Sequence, residues 1–314
     1  MPKSGWFLVP LLLLATPAVG REIYVSNVAG DDSFTGSQPQ SLPDGSGPVH
    51  SITRALQLAN SGDRIVLEKT DEPYSEGISL VGNRHSGYPQ RPFAIEGNGA
   101  ILDGSAPIPP RAWQHYRGMV FRFRPAEAGY QQLFLDDRPA IRVAVSETAG
   151  APPTLEPLQW CWLGGEIFFC AQRDKLPEDY RLSHTQKQTG ITLFHVRGVG
   201  IVNLTVQGFR VDGVSAYNSA SDVYLGGVVC RGNGRAGVSV GGASKAEIDM
   251  CLLGNNGEAQ LLTFPYSETS VHNSELLRGT GPGWVDCGGR VHLNDRRVEG
   301  GAEEVKNAPN PAGL

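Results

Sequence analysis

The sequence has little cysteine, no clustered positive charge and few long apolar runs. Its 314 residues include 27 Lys and Arg against 32 Asp and Glu, which gives a formal net charge of -5. A mildly acidic chain without a basic run argues against nucleic acid as a partner. After the first 20 residues no apolar run approaches the roughly 20 residues that cross a bilayer. We therefore expect no membrane span once that segment is removed.

The spacing of the five cysteines argues against a zinc site and leaves the disulfide pairing open. None of them is spaced as C-x-x-C, so we predict no zinc site and assign no metal ligands. Cys161 and Cys170 flank the turn sequence LGGE, where a hairpin would bring them together as a disulfide. Cys230 and Cys251 are more typical of small, buried apolar residues. The odd count leaves at least one thiol unpaired.

The first 20 residues, MPKSGWFLVPLLLLATPAVG, have the pattern of a secretory signal peptide. They contain one charge, Lys3, an apolar run through Leu14, and small residues at Ala18 and Gly20. We predict export to the periplasm, the cell surface or the medium, with a retained N-terminal anchor as the alternative. The rest of the chain, with 40 Gly and 22 Pro in the whole sequence, is typical of a folded protein rich in strands and turns.

One short segment, SITRALQLANSGDRIVL, predicts a helix near the start of this strand-rich chain. Ile52, Ala55, Leu56 and Ala59 recur on one helical face, and Ser51 is a suitable N-cap. The turn residues 60–63 would end the helix, and the apolar run 65–67 would follow as a strand.

A repeat with a period of 23 to 24 residues occupies positions 190–294. Aligning Val214, Val238, Leu261 and Trp284 gives steps of 24, 23 and 23 residues. Short strands with Gly and Asn corners at this period predict stacked coils, about 4.8 Å apart. The signature of leucine-rich repeats is absent from this sequence. A β-sandwich would not keep the same residue type at the same position of each successive repeat.

The repeat also predicts a column and an interior. Asn233 and Asn256 fall in equivalent corners, where stacked amides would hydrogen-bond along the axis. The alternation of apolar residues points a further set of side chains inward: Val223, Leu225, Ile248, Met250 and Val271.

These residues resemble a known group of proteins. The opening IYVSNVAGDDSFTGS, the segment GPVHSITRALQLANSGDRIVL and the repeats after Gly190 are similar to secreted right-handed parallel β-helix proteins of the pectin lyase-like superfamily. The resemblance implies an all-β solenoid, a helix that caps the first coil, and polysaccharide as the substrate class. An uncapped coil would expose a strand edge and an apolar end to water.

We divide the chain into five segments. Residues 1–20 are the signal peptide, 21–104 the N-terminal cap and first coils, and 190–294 the repeated coils. Between them the period disappears, and strand and turn patterns over 105–189, with turns at 136–137 and 164–165, predict an inserted antiparallel β module. This module resembles insertions in several β-helix glycoside hydrolases. The polar segment 295–314 predicts a disordered tail. A tail that folds back, a partner, or a shortened chain would each explain the missing C-terminal cap.

The catalytic motifs of the resembling enzymes are absent, because the sequence has neither paired aspartates with a G-H-G turn nor a clear calcium-binding Asp set with an Arg. Aligning Val223, Ile248 and Val271 would place Tyr224, Asp249 and His272 outward in adjacent coils. An Asp beside a His raises the basicity of the ring, and a Tyr exchanges a proton, as β-elimination from a uronate requires. The alternative is an ordinary polar face of a solvated sheet.

Three basic residues near these strands would bind a substrate carboxylate: Arg231, Arg235 and Lys245. The alternative is that they are solvated corner charges. Asp212, Asp222, Glu247, Glu258 and Glu275 supply carboxylates for a hydrolase pair. The sequence specifies no cofactor; calcium would suit these oxygen ligands, although no EF-hand-like spacing is present.

The sequence as a whole predicts an exported β-helix protein that acts on a polysaccharide or oligosaccharide, as a lyase or a glycoside hydrolase. A non-catalytic carbohydrate-binding or surface-interaction protein is the alternative. A carboxylate pair or an Asp-His-Arg cluster in one cleft would favour the enzyme, and a flat face of Tyr and Trp would favour the binder.

Overall fold

A computed structural model of the protein describes residues 20–146, 148–303 and 305–306. The predicted signal peptide lies outside the described residues except for Gly20, as does the end of the predicted tail, 307–314. No helix in the described part of the chain is long and apolar enough to cross a membrane.

Within the described residues the chain is mostly β. The N-terminal segment contains β1 (Glu22–Val25), α1 (Ile52–Leu58), β2 (Arg64–Leu67), β3 (Ile78–Val81) and β4 (Phe93–Asp103). The middle segment contains β5 (Ser105–Pro107), β6 (Gln114–Arg117), β7 (Val120–Phe123), β8 (Leu133–Leu135), β9 (Arg138–Pro139), β10 (Ile141–Arg142), β11 (Gln159–Leu163), β12 (Glu166–Cys170) and β13 (Leu182–Thr185). Short 3-10 helices lie at Gly82–His85, Pro110–Ala112 and Pro177–Asp179.

The repeat region contains the remaining strands. They are β14 (Ile191–Phe194), β15 (Arg197–Gln207), β16 (Asp212–Ala216), β17 (Ser221–Gly226), β18 (Val229–Arg231), β19 (Ala236–Val240), β20 (Lys245–Asp249), β21 (Leu252–Gly254), β22 (Ala259–Thr263), β23 (Glu268–His272), β24 (Glu275–Leu276), β25 (Trp284–Asp286), β26 (Arg290–Leu293), β27 (Arg296–Val298) and β28 (Val305–Lys306).

These strands form three parallel ladders. The first ladder runs β1, β2, β4, β15, β17, β20, β23, β26. The second uses the C-terminal halves of β4 and β15, followed by β18, β21 and β24. The third runs β3, β14, β16, β19, β22, β25. The predicted all-β chain with parallel, stacked strands is thus confirmed.

The register of the third ladder follows the predicted repeat. Val214 pairs with Val238, Val238 with Leu261, and Leu261 with Trp284. All four side chains are buried in one core that runs the length of the ladders. The column predicted from the period is confirmed, because each coil must place an apolar residue at the same height to keep this core continuous.

A sharp bend separates the first ladder from the second, and left-handed residues make it. Asn98, Asn203, Gly227, Met250 and Asn273 stand at this corner with φ between 45° and 61°. Asn and Gly adopt this conformation most readily. The prediction that Met250 points inward is wrong: the bend interrupts the strand alternation and leaves its side chain 58% exposed.

The predicted asparagine column is present at the corner between the second and third ladders. Asn233 Nδ2 donates to Asn256 Oδ1 at 3.0 Å, and Asn256 Nδ2 donates to Gln260 Oε1 at 2.8 Å. All three side chains are fully buried. Their amides also donate to buried backbone carbonyls: Asn233 Nδ2 to that of Val206 and Asn256 Nδ2 to that of Cys230.

The predicted helix is confirmed as α1. The Ser51 side chain accepts a hydrogen bond from the Arg54 N–H at 3.0 Å, as expected of an N-cap. Ile52, Ala55 and Leu56 are buried in the core that the ladders share. The helix contacts β1 and β2, the strands that begin the first ladder.

Strands β5 to β13 form two further sheets. One has the order β10-β11-β12-β7-β6, with antiparallel pairing except between β10 and β11, and the other has the antiparallel order β5-β13-β8-β9. The predicted turns join β8 to β9 at 136–137 and β11 to β12 at 164–165, each with positive φ. We call residues 105–189 the module; its boundaries stay a prediction.

All five cysteines are free thiols. Cys161 lies directly opposite Phe168 rather than Cys170 in the β11–β12 hairpin. The suggested disulfide between Cys161 and Cys170 is therefore not formed, because the hairpin register places the two residues diagonally. Cys230 and Cys251 are buried, as expected.

The described residues near the C-terminus fold back on the ladders. Strand β27 pairs antiparallel with β26, β28 pairs antiparallel with β24, and Ala302 bridges to Trp284. The prediction of a disordered tail is therefore wrong for these segments. The backbone of the tail satisfies strand edges that would otherwise be exposed at the end of each ladder.

Candidate functional site

An elongated groove crosses the outer face of the first ladder. Three adjoining depressions, of about 480, 600 and 320 Å³, share residues with one another. Tyr88 and Arg197 join the first two, and Asp222 and Tyr224 join the last two. The groove runs across β15, β17, β20 and β23, along the stacking direction of the coils. Since neighbouring strands are about 4.8 Å apart, it is long enough for a chain-like ligand.

Tyr224 and Asp249 are in contact on the outer face of this ladder. The Tyr224 hydroxyl donates to Asp249 Oδ2 at 3.3 Å. The ring lies over Gly226, where a Cβ atom would come within 2.6 Å of the Tyr224 Cε1 atom. Gly226 is thus the residue whose missing side chain lets the tyrosine reach the next coil.

The sequence-based alignment that suggested this pair placed β17 and β20 two residues out of their observed register. Tyr224 pairs with Glu247, and it is Leu225 that pairs with Ile248. A slip of two residues keeps every apolar side chain on the inner face, so the alternation pattern does not detect it. The predicted contact with Asp249 forms nonetheless, because the Tyr224 side chain leans along the strand over Gly226.

His272 stands beside Asp249 on the next strand. The two residues are ladder partners, and both side chains are partly exposed. The remaining Asp249 oxygen, Oδ1, accepts a hydrogen bond from Asn273 Nδ2 at 2.9 Å. The structure therefore brings Tyr224, Asp249 and His272 together on one surface, with Asp249 in the middle.

Burial of the phenol, and secondly the nearby Asp249 carboxylate, raise the pKa of Tyr224. The hydroxyl therefore keeps its proton at neutral pH and acts as a hydrogen-bond donor. The raised pKa therefore argues against a role for Tyr224 as a deprotonated catalytic base.

Glu247 is one of the five carboxylates that the sequence analysis named for a hydrolase pair, but the sequence did not pair it with Asp249. It is exposed, lines the groove, and is the ladder partner of Tyr224. Among the described residues, none makes a hydrogen bond or ion pair with its carboxylate. It lies two residues before Asp249 on the same face of β20, whose burial alternates residue by residue. That alternation was the available signal, because i and i+2 on a strand share a face.

The other charges of the groove are paired. Arg197 Nε contacts Asp222 Oδ2 at 2.9 Å. Lys245 Nζ contacts Glu268 Oε2 at 3.2 Å, and Arg290 contacts the same oxygen at 3.3 Å. The hydrogen bond from Lys245 lowers the pKa of Glu268, which stays ionised at neutral pH. Lys245, predicted to bind substrate, thus lies in the groove but already has an acidic partner.

Arg231 and Arg235 have partners elsewhere in the chain. Arg231 Nε donates to Gln207 Oε1 at 2.8 Å. Arg235 donates to both carboxylate oxygens of the buried Asp212, at 2.9 and 2.6 Å, and this pairing raises the pKa of its guanidinium. Neither residue lines the groove, so the structure does not place them beside Lys245. Their predicted role in substrate binding stays a prediction.

No cluster of three or more His, Cys, Asp or Glu residues in the described part of the chain is arranged to hold a metal ion. The groove carboxylates Asp222, Glu247 and Glu268 are hard oxygen ligands of the kind that calcium accepts. Two of the three are engaged by basic side chains.

No family model matches the chain, and no curated protein sequence matches it. Solved structures show a distant likeness. A structure of XylC with xylose has a TM-score of 0.43 and 10% identity, over 87% of this chain and 69% of that chain. A GH136 lacto-N-biosidase from Eubacterium ramulus has a TM-score of 0.43 and 11% identity, over 81% of this chain and 40% of that chain.

A rhamnogalacturonan lyase has a TM-score of 0.32 and 12% identity, over 81% of this chain and 68% of that chain. The chain thus spans less than half of the lacto-N-biosidase. At TM-scores below 0.5, these likenesses to glycoside hydrolase and lyase structures assign neither a family nor an activity to this chain.

Proposed function

We propose that this protein binds a polysaccharide along the groove and hydrolyses it with Glu247 and Asp249. The observation that carries the proposal is the Glu247 carboxylate, which has no partner among the described residues and lines the last depression of the groove, two residues before Asp249 on one strand face. Glycoside hydrolysis needs two carboxylates on opposite sides of the scissile bond, and few other reactions of chain-like ligands do.

We propose an inverting reaction from the backbone spacing of the two residues. Residues i and i+2 of a strand are about 6.6 Å apart at their Cα atoms. Inverting enzymes hold their carboxyl groups about 6.5 to 9.5 Å apart, which leaves room for a water molecule. Retaining enzymes need a shorter distance, about 5 Å.

The contacts suggest a role for each residue. Asp249 accepts hydrogen bonds from Tyr224 and Asn273, which hold its carboxylate in place. In our proposal Asp249 is the general base that directs a water molecule, a role that requires a fixed orientation. Glu247 faces the groove without a partner among the described residues, so in our proposal it protonates the leaving oxygen. Tyr224 is a positioning residue.

The charge of the groove favours a neutral polysaccharide. The depression around Glu247 is lined by three carboxylates, Asp222, Glu247 and Glu268, and one ammonium, Lys245. A polyuronate would bring further negative charge to this surface, and like charges at short range repel. A neutral glycan offers hydroxyl groups that carboxylates bind as hydrogen-bond acceptors.

We also infer that the stacked coils form a right-handed parallel β-helix of the pectin lyase-like type, with α1 as its cap. We infer in addition that the protein is exported from the cell. The three parallel ladders support the β-helix, and the contacts of α1 with β1 and β2 support the cap. Export follows from the N-terminal sequence pattern alone.

A lyase is the second candidate, and one observation favours it. Asp249 lies between Tyr224 and His272. In a lyase, His272 would take the proton α to a uronate carboxylate, with Asp249 orienting the ring and Tyr224 donating a proton to the leaving oxygen. The acidic lining of the groove argues against a uronate ligand, so we place this reaction second.

The experiment is to incubate the purified mature protein with neutral and uronate polysaccharides, with and without calcium. New reducing ends and the absorbance of unsaturated ends are followed together. We expect reducing ends alone, from a neutral polymer, and inversion of the anomeric configuration in the first product. Both signals rising would contradict hydrolysis and identify the lyase. Retention on a polysaccharide affinity gel without either signal would identify a non-catalytic binder.

A further inference from the structure

A second cavity lies where the module meets the coils. It has a volume of about 760 Å³. Its walls come from the segment before β8, from β10 and β11 of the module, and from the turn before β22 of the coils. We call it the cleft and define it by four lining side chains: Tyr130, Arg142, Trp162 and Glu258. None of the four lines the groove.

Arg142 is the cation of the cleft. Its backbone pairs with Trp160 in the β10–β11 ladder, and its guanidinium lies 5.4 Å from the centroid of the Trp160 ring. Among the described residues, none accepts a hydrogen bond from this guanidinium and none forms an ion pair with it. A half-buried guanidinium with uncommitted N–H groups in a cavity is suited to a bound anion, because it presents a planar set of donors.

Two aromatic side chains line the same cavity. Trp162 belongs to β11 and is partly exposed, whereas Tyr130 is 41% exposed. The Tyr130 backbone lies against Gly234, where a Cβ atom would come within 2.9 Å of Tyr130 Cβ and within 2.2 Å of the Arg210 carbonyl oxygen. The coil thus holds Tyr130 by a close approach that a glycine permits. Flat aromatic faces with a polar edge suit the faces of a sugar ring.

Glu258 is the acceptor of the cleft. Its backbone N–H donates to the Arg235 carbonyl at 2.8 Å, which fixes it on the coil, and its side chain is exposed. The neighbouring ion pair between Arg235 and Asp212 carries no net charge, so it adds no free charge beside Glu258. Arg142 has five donors, so it is able to serve a ligand carboxylate while Glu258 remains near.

We propose that the cleft is a second carbohydrate site, which takes a sugar that bears a carboxylate, such as a uronic acid. In this proposal the carboxylate pairs with Arg142, the ring lies against Trp162 and Tyr130, and Glu258 accepts a hydrogen bond from a ring hydroxyl. The groove has an excess of carboxylates and no uncommitted cation among its described residues, so the two sites would select sugars of different charge. The cleft does not depend on the proposed chemistry of the groove.

The test compares two sugars that differ at one carbon. Glucuronic acid carries a carboxylate where glucose carries a hydroxymethyl group. The mature protein is titrated with each by isothermal calorimetry, with tryptophan fluorescence as a second signal because Trp162 lines the cleft. We expect glucuronic acid to bind at least about tenfold more tightly than glucose, as a charge-assisted hydrogen bond requires.

Three variants assign the binding to the cleft. Arg142→Gln should weaken glucuronic acid binding at least about tenfold and remove the preference over glucose. Arg173→Gln is the matched control, since it removes an arginine of the module that is 93% exposed and outside the cleft. Glu247→Gln should bind glucuronic acid as the wild type does, even though we expect it to lose activity.

Either of two results would overturn the proposal: wild-type protein that binds neither sugar or binds both equally, or Arg142→Gln with unchanged affinity. Circular dichroism of each variant shows whether it is folded. Loss of glucuronic acid binding in Glu247→Gln, with Arg142→Gln unaffected, would place the acidic sugar in the groove instead. Absence of hydrolysis with intact glucuronic acid binding would contradict only the proposed activity.

Discussion

The coils and the module are held together by different interactions. The coils repeat one pattern, in which apolar columns fill the interior and an amide column, Asn233 to Gln260, satisfies the buried corners. The module has no repeat and packs a cluster of aromatic residues, with Trp160 and Phe169 fully buried. The difference shows why the coils present a long, regular surface and the module forms one wall of a single cavity.

The difference extends to what each region offers a ligand. On the coils, outward side chains stand at a fixed spacing along the stacking direction, so the groove has the shape of a chain-like ligand. At the module, Arg142 and Trp162 come from neighbouring strands of one small sheet, and they line one cavity of about 760 Å³. Three changes would break or sharpen this comparison.

Asn256→Ala should destabilise the coils most. The Asn256 side chain accepts from the Asn233 N–H at 2.9 Å and from Asn233 Nδ2, and it donates to the Cys230 carbonyl at 3.1 Å. Its removal leaves several buried polar groups without partners, at about 1 to 3 kcal/mol each. We expect a loss of about 4 kcal/mol in the free energy of unfolding, measured by urea denaturation with circular dichroism.

The control for this variant is Asn255→Gly. Asn255 is the exposed neighbour and has a φ of 57°, which glycine adopts without strain. It should change the free energy of unfolding by less than about 0.5 kcal/mol. Equal effects of the two substitutions would mean that the amide column does not hold the coils together.

Acid should destabilise the module through His184. This side chain is buried, its ring lies 5.1 Å from the Phe123 ring, and Nδ1 is 3.3 Å from Gln131 Oε1. Burial lowers its pKa from 6.5 to about 4. The unfolded chain therefore binds a proton at a higher pH than the folded one. The contribution to stability is complete above pH 6.5 and is lost progressively as the pH falls to about 4, by about 3 kcal/mol.

The measurement is the free energy of unfolding at several pH values between 7 and 4, for the wild type and His184→Gln. Tryptophan fluorescence is the signal, because Trp113, Trp160 and Trp162 belong to the module. Burial also lowers the pKa of His85, which lies against α1, so the difference between the two proteins isolates His184. Parallel curves for wild type and variant across this range would refute the prediction.

Of the three changes, Gly226→Ala should have the smallest effect, and we expect that effect on catalytic activity. The new methyl group would displace the Tyr224 ring, which holds Asp249 from the neighbouring coil. We expect kcat to fall about tenfold, since misplacing a catalytic group by about 1 Å costs up to a hundredfold. Gly150→Ala is the control, because a Cβ atom there meets nothing within 4 Å and Gly150 does not line the groove. Equal kinetics for the two variants would mean that Tyr224 does not position Asp249.

Much of the coil structure was predictable from the sequence, because one physical rule repeats. The column Val214 to Trp284 and the Asn233–Asn256 contact follow from a period that keeps apolar residues and corner amides at one height. The same rule failed for Tyr224, since a slip of two residues preserves the alternation. It also failed for Met250, since a left-handed bend interrupts the strand there.

The cleft was not predictable in the same way. Tyr130, Arg142, Trp162 and Glu258 are far apart in the sequence, and no period relates the module to the coils. Their meeting depends on how the module packs on the corner at Gly234, which is a tertiary contact without a local signal. The sequence analysis gave a folded-back tail only as one of three alternatives, because strands β27 and β28 are short and pair with the ends of existing ladders.

The most direct test of the central claim compares two exposed glutamates, one in each region. Initial rates are measured for wild type, Glu247→Gln in the groove and Glu258→Gln in the cleft, on the neutral polysaccharide that the wild type cleaves fastest. We predict that Glu247→Gln lowers kcat at least about a hundredfold, as loss of a general acid does, whereas Glu258→Gln stays within about twofold of the wild-type kcat. A Glu247→Gln variant with wild-type kcat, or a larger loss in Glu258→Gln, would contradict the assignment of the chemistry to the groove.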